Sequence, residues 1–137
     1  MSLFDYYRHL TSINQPPVVT AEDDTVALTK LNLGEREETF ARQCMREHRR
    51  KAVTWRAKLL AKSCSCLSRQ FSAETFGDRR LAEEAILGFI STFGRKDRKA
   101  AVLEVITGNS QLASMDDITA ERVFKIAGKA FKSCEKK

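Results

Sequence analysis

The segment from Arg36 to Phe71 constrains the fold most, because it is long, strongly basic and free of the residues that break helices. It contains ten of the 24 lysine and arginine residues, only three acidic residues, and neither proline nor glycine. Good helix formers such as arginine, lysine, alanine and leucine dominate its interior. The sequence therefore predicts one long basic helix over about residues 36–70, with a break near its C-terminal third, around Cys64 to Cys66, as the alternative.

Apolar residues in this segment recur at intervals of three, four and seven positions, as they do on one face of an α-helix. Such a helix gains most of its stability by packing that face against a partner. One interpretation is a homodimer, in which two copies of the helix pair closely and bury a tryptophan. Its interface is predicted to contain Ala41, Met45, Ala52, Trp55 and Leu59.

Basic residues flank the apolar face on both sides, and Glu47 is the only acidic residue between Glu38 and Glu74. Like charges one helical turn apart repel each other. A polyanion such as nucleic acid relieves that repulsion through phosphate contacts and counterion release. An acidic protein partner, or a basic face that meets only solvent, are the alternatives. The predicted nucleic-acid contacts are Arg42, Arg46, Arg49, Arg50, Lys51, Arg56 and Lys58, extended by Lys125 and Lys129 from a second basic row near the C-terminus.

The one acidic cluster, residues 22–24, follows Thr20 at the start of a predicted helix that ends near Leu31. Acidic side chains in a first turn interact favourably with the helix dipole, so the cluster is interpreted as helix decoration. Contact with the basic helix of the same or a second chain is one alternative, and a metal site is another. A strand over residues 25–31 is the alternative to the helix.

The fold class predicted for the chain is all-α, a compact bundle of four to five helices with a short N-terminal arm. Two prolines and six glycines leave little material for the turns of a many-stranded protein. A polar loop is expected over residues 109–117. The remaining helices are predicted over residues 78–93, capped by Asp78 and ended by Gly94, over residues 97–108, and from Thr119 onward with Ile118 packing against it.

The domain prediction follows from the length and from one proline pair. At 137 residues the chain is long enough for a single domain with its own core. Pro16-Pro17 favours an extended linker. Residues 1–19 are therefore predicted to form an N-terminal arm with a short helix over 2–10, and residues 20–137 a single helical domain.

The four cysteines are predicted to be reduced thiols of an intracellular protein, either cytoplasmic or nuclear. The first residues do not resemble a secretory signal, and no stretch approaches the roughly 20 apolar residues of a membrane span, so no membrane partner is expected. Intracellular proteins keep most cysteines reduced. Three of the four are interpreted as small buried hydrophobic residues and one, Cys64, as partly exposed.

A zinc site is the first chemistry to consider, because Cys44 and His48 lie one helical turn apart and Cys64 and Cys66 supply two more ligands. In an unbroken helix, however, Cys44 and Cys64 would lie about 30 Å apart at about 1.5 Å per residue. Tetrahedral coordination needs all ligands close to the metal. The sequence therefore predicts no metal site and no cofactor.

No enzyme is predicted, because the chain has two histidines, no framed nucleophile and no glycine-rich phosphate loop. The predicted function is binding of nucleic acid through its backbone without sequence preference. Duplex RNA is favoured, since rows of arginine on helices suit recognition of shape and phosphate. The alternative is a helical protein–protein interaction module whose basic helix docks on an acidic partner. In size, charge and number of helices the chain resembles compact viral or phage accessory and regulatory proteins, some of which sequester RNA.

Overall fold

A computed structural model describes residues 21–51, 53–72 and 74–135, and every regular element within them is an α-helix. The all-α prediction is confirmed, with seven helices in these residues where four to five were expected. None of the seven is both long and apolar enough to cross a bilayer. The predicted arm and its short helix lie outside the described residues. In chain order the helices are α1 (Ala21–Thr29), α2 (Glu35–Arg50), α3 (Ala57–Gln70), α4 (Phe76–Ser91), α5 (Arg98–Gly108), α6 (Ser110–Ala113) and α7 (Asp117–Glu135).

The prediction of one continuous helix over about 36–70 is wrong, because α2 ends at Arg50 and α3 begins at Ala57. The connection contains a valine, a threonine and a tryptophan in succession, which are weaker helix formers than the residues on either side. The turn is held by hydrogen bonds: the Val53 N–H donates to the His48 carbonyl at 3.1 Å, and the Arg49 guanidinium donates to the Val53 carbonyl at 2.7 Å. These contacts replace the helical bonds that a continuous helix would make.

Helices α2 and α3 fold back on each other and bury their apolar faces together. The Cα atoms of Cys44 and Cys64, one from each helix, are 5.8 Å apart. Ala41 and Met45 of α2 and Leu60 of α3 are at most 2% exposed. The apolar period read from the sequence is therefore real, but each half of the segment packs against the other half.

One cluster of buried residues fills the space between this hairpin and the other helices. Phe71, which follows α3, is fully buried and packs edge-to-face on Phe40 with ring centroids 5.9 Å apart. Helices α4 and α7 contribute several alanines, which allow helices to approach closely. The cluster includes Leu28, Ala82, Ala85, Ile86, Ile90, Leu112, Val123, Ala127 and Ala130.

The helices after the hairpin lie close to their predicted ranges, but their caps differ. Thr75 stands at the N-cap of α4, so the predicted cap, Asp78, lies in the first turn of that helix. Gly94 follows α4 with φ of +88°, a conformation that favours glycine. The predicted loop over 109–117 contains the four-residue α6, because the Asn109 side chain accepts hydrogen bonds from the first N–H groups of that helix. Asp116 caps α7, accepting from the Thr119 N–H at 2.7 Å, in place of the predicted threonine cap. Ile118, predicted to pack, is 75% exposed.

Candidate nucleic-acid interface

The solvent face of α2 carries four exposed cations, Arg42, Arg46, Arg50 and Lys51, which we call the basic row. The three arginines are spaced four residues apart, so they lie about 6 Å apart along the helix axis. The Arg50 side chain is 69% exposed. The row faces solvent because the opposite face of α2 is buried in the core.

Two members of the basic row have carboxylates one turn away on the same helix. Arg42 lies 3.7 Å from Glu38, and Arg50 lies 3.3 Å from Glu47. Ion pairs one turn apart on a helix contribute only about 0.3–0.5 kcal/mol, so a phosphate can replace either carboxylate at little cost. Within the described part of the chain, no carboxylate lies within ion-pair distance of Arg46. The row is therefore only partly neutralised.

Arg49, predicted as a nucleic-acid contact, is engaged inside the protein. Its guanidinium donates two hydrogen bonds to the Asp24 carboxylate, at 2.9 and 2.8 Å, and a third to the Val53 carbonyl. The side chains of Arg49 and Asp24 are only 19% and 12% exposed. Arg49 therefore joins α1, α2 and the turn after α2. The acidic cluster was interpreted as helix decoration, and for Asp24 the structure shows the alternative instead, contact with the basic helix of the same chain.

The other predicted contacts lie away from the basic row along the chain. Arg56 and Lys58 are exposed at the start of α3, beyond the turn. Lys125 and Lys129 line a groove of about 400 Å³ between the end of α3 and α7. Arg122 also lines this groove and is held by two hydrogen bonds to Asp78, which lower the pKa of that carboxyl group.

The five residues predicted for a dimer interface are divided between the core and the surface. Ala41 and Met45 are buried in the core of the same chain, so they offer no surface to a second copy. Ala52 lies outside the described residues. Trp55 and Leu59 are 49% and 51% exposed and line an apolar groove of about 540 Å³. The homodimer itself stays a prediction.

The expectation of four reduced thiols is wrong in this structure, which holds the disulfides Cys44–Cys64 and Cys66–Cys134. Two cysteines separated by one residue on α3 point about 200° apart around the helix, so one faces α2 and the other faces α7. The prediction that Cys64 is partly exposed is also wrong, since this residue is fully buried. Disulfides persist mainly in oxidising compartments. The thiol argument for an intracellular protein is thereby lost, and the location stays a prediction.

His48 is buried beside the Cys44–Cys64 disulfide. The predicted continuous helix over about 36–70 would have held Cys44 and His48 far from Cys64. The ligand atoms of Cys44, His48 and Cys64 all lie within 4.8 Å of one another. The Nδ1 atom of His48 is buried and has no hydrogen-bond partner, and its ring centroid lies 5.8 Å from that of Phe93. Burial lowers the pKa of His48, and the positive charge of Arg49 lowers it further.

Substituting His48 with glutamine is expected to reduce the loss of unfolding free energy that occurs as the pH falls below about 6.5. Because the pKa is lower in the folded state, the unfolded chain binds more protons as the pH falls through about 6.5. The free energy of unfolding therefore falls in this range, by at most about 1.4 kcal/mol per pH unit for one proton. Urea unfolding of the oxidised protein and of His48→Gln from about pH 7.5 to about pH 5.5 measures the difference. Both proteins retain His9, so parallel profiles would contradict the prediction.

Comparison of the chain with protein-family models, with curated proteins and with solved structures found no match. The features of the structure that bear on function are the basic row, the buried Arg49–Asp24 pair, the apolar groove and the cysteine–histidine cluster.

Proposed function

We propose that this protein binds nucleic acid through the phosphate backbone, with the basic row of α2 as the principal contact surface and duplex RNA as the favoured ligand. The observation that carries the proposal is the exposure of Arg42, Arg46 and Arg50 along one helix face, where Arg42 and Arg50 each have only one weakly paired carboxylate on the same helix. A protein of this kind suits an accessory role, such as sequestering RNA without reading its sequence.

Long side chains on a rigid helix favour contacts with phosphates over contacts with bases. Phosphate contacts position a protein on a duplex but carry no sequence information directly. Duplex RNA is recognised mostly by its shape and its backbone, because its deep, narrow major groove excludes side chains. Arg49 is removed from the predicted contact set, since its guanidinium already donates to Asp24 and Val53. Arg56 and Lys58 remain secondary contacts at the start of α3.

Replacing Arg42, Arg46 and Arg50 together with glutamine tests the proposal. Glutamine is a good helix former, so α2 should persist. Loss of three charged contacts at roughly 1 kcal/mol each predicts about a 100-fold weaker affinity for duplex RNA. Fluorescence anisotropy with a labelled duplex of random sequence measures the change. Single-stranded RNA and duplex DNA, titrated in parallel, test the preference for duplex RNA.

A second triple variant is the matched control, because it also removes three positive charges but from surfaces outside α2. Lys96, Lys99 and Lys132 are exposed, lie outside α2 and show no ion pair in the described structure. Their joint replacement by glutamine is expected to weaken binding only modestly, through the change in net charge. Equal losses in the two triple variants would show that binding depends on net charge alone, and would contradict a specific role for the basic row.

A second candidate function, docking of an acidic protein, is favoured by the apolar groove. Trp55 and Leu59 are half-exposed there and lie beside the cations Lys62 and Arg98. Tryptophan and arginine are enriched at the centres of protein interfaces. Under this function, affinity capture with the unsubstituted protein retains a protein partner even after nuclease treatment. The double variant Trp55→Ser/Leu59→Ser loses that partner, while its affinity for RNA is unchanged. If the same groove mediates a homodimer, the solution mass of that variant falls by half.

A further inference from the structure

Two sulfur atoms and an imidazole nitrogen lie together in the interior of the α2–α3 hairpin. Cys44 and Cys64 are fully buried and His48 is 9% exposed. Their ligand atoms all lie within 4.8 Å of one another. We propose that, when the Cys44–Cys64 disulfide is reduced, these three side chains bind one zinc ion. The hairpin would then exchange a disulfide cross-link for a metal–thiolate cross-link. The three proposed ligands include no residue of the basic row.

The unpartnered nitrogen of His48 is a second observation that points to a ligand. A buried polar atom without a hydrogen bond destabilises the folded state, because it has lost its bonds to water and gained none in the protein. Nδ1 of His48 is such an atom, on a side chain that is more than nine-tenths buried. A metal ion bound through this nitrogen supplies the missing partner. The neutral imidazole is the form that coordinates metals.

The donor set selects the class of cation. Two thiolates and an imidazole suit zinc, whereas magnesium and calcium prefer oxygen ligands. Thiolates at about 2.3 Å from a tetrahedral ion lie about 3.8 Å from each other. The Cα atoms of Cys44 and Cys64, 5.8 Å apart, need little displacement to allow that separation. His48 lines the apolar groove, which therefore connects this side chain with solvent and gives the metal and a fourth ligand a path of entry.

The exchange balances with a dithiol as the reductant. The dithiol transfers two electrons and two protons to the Cys44–Cys64 bond, becomes a disulfide itself, and leaves two protein thiols. One Zn²⁺ then displaces a proton from each thiol and binds both thiolates and neutral His48. Two protons are released for each zinc ion bound. A disulfide oxidant reverses the exchange: it accepts two electrons from the two thiolates and two protons from solvent, leaves as a dithiol, and so restores the Cys44–Cys64 bond and releases Zn²⁺.

Cobalt(II), a spectroscopic substitute for zinc, tests the site in the full chain. The protein is reduced, freed of reductant without oxygen, and titrated with Co²⁺ and then with Zn²⁺. The expected result is one Co²⁺ per chain, with the absorption of a tetrahedral thiolate site, displaced by one Zn²⁺. The double variant Cys66→Ser/Cys134→Ser removes the other disulfide and should bind equally well. Oxidised protein should bind none.

Loss of a residue that only supports a metal ligand weakens metal affinity by up to about 100-fold. His48→Gln and Cys44→Ser remove ligands themselves, so each is expected to weaken zinc binding by about 100-fold or more. Release of two protons per zinc provides a readout that is independent of the spectrum. If the reduced protein unfolds, recovery of helicity on addition of zinc supports the site. The proposal is overturned if reduced protein neither binds nor refolds with zinc, or if binding depends on Cys66 and Cys134 and is unaffected by His48→Gln.

Discussion

Removing the Cys66–Cys134 disulfide is expected to lower the free energy of unfolding by about 4 kcal/mol, and removing Cys44–Cys64 by about 3 kcal/mol. These values follow from the chain entropy that each cross-link removes from the unfolded state. The paired residues are 68 and 20 positions apart, so the first disulfide closes the longer loop and contributes more. Loss of both would remove much of the 5–15 kcal/mol or so that stabilises an ordinary domain.

Urea unfolding of the double variants Cys44→Ala/Cys64→Ala and Cys66→Ala/Cys134→Ala measures the two contributions. A metal chelator in every sample separates the disulfide effect from zinc binding. Alkylation of the oxidised protein in denaturant is the control, and it should modify no cysteine. Four alkylated cysteines, or variants as stable as the unsubstituted protein, would contradict the pairing.

Replacing Asp24 with alanine is expected to cost roughly 3 kcal/mol, because it leaves the Arg49 guanidinium largely buried without its carboxylate. The pair also fixes the turn between α2 and α3, since the same guanidinium donates to the Val53 carbonyl. The effect should therefore exceed that of an ordinary surface substitution. Thermal and urea unfolding of Asp24→Ala provide the measurement.

Glu38→Ala is the matched control, since it removes the carboxylate partner of an exposed arginine on the same helix. Its expected cost is about 0.5 kcal/mol or less. A double variant, Asp24→Ala/Arg49→Met, should recover part of the lost stability, because no buried charge remains unpaired. Similar costs for Asp24→Ala and Glu38→Ala would show that Arg49 is not held as described.

The helical class of the fold was predictable from local patterns, whereas the path of the chain was not. Period and composition identified α1, α4, α5 and α7 to within a few residues. The break after Arg50 has no glycine or proline to mark it. It depends on contacts such as that between Arg49 and the Val53 carbonyl, which form only when the turn already exists. Local propensity cannot anticipate a tertiary contact of this kind.

The missed break after Arg50 also explains which parts of the candidate sites were predicted incorrectly. A continuous helix places Cys44 far from Cys64, so the two cysteines were not predicted to pair. It also aligns Arg49 with the other arginines, so Arg49 was predicted to be a nucleic-acid contact. The spacing of Cys64 and Cys66 contained a usable signal, because residues two apart on a helix must face different neighbours. The exposure of Arg42, Arg46 and Arg50 needed only the helical period, and that part of the prediction agrees with the structure.

The salt dependence of binding to duplex RNA shows whether Arg42, Arg46 and Arg50 contact phosphates. Affinity is measured from about 50 to about 200 mM salt for the protein and its Arg→Gln triple variant. Each phosphate contact contributes about 0.9 to the magnitude of the negative slope of log affinity against log salt. Loss of three contacts should therefore make this slope shallower by about 2.7 in the variant. The lysine control should keep the original slope. An unchanged slope in the arginine variant would contradict the account, whatever its affinity.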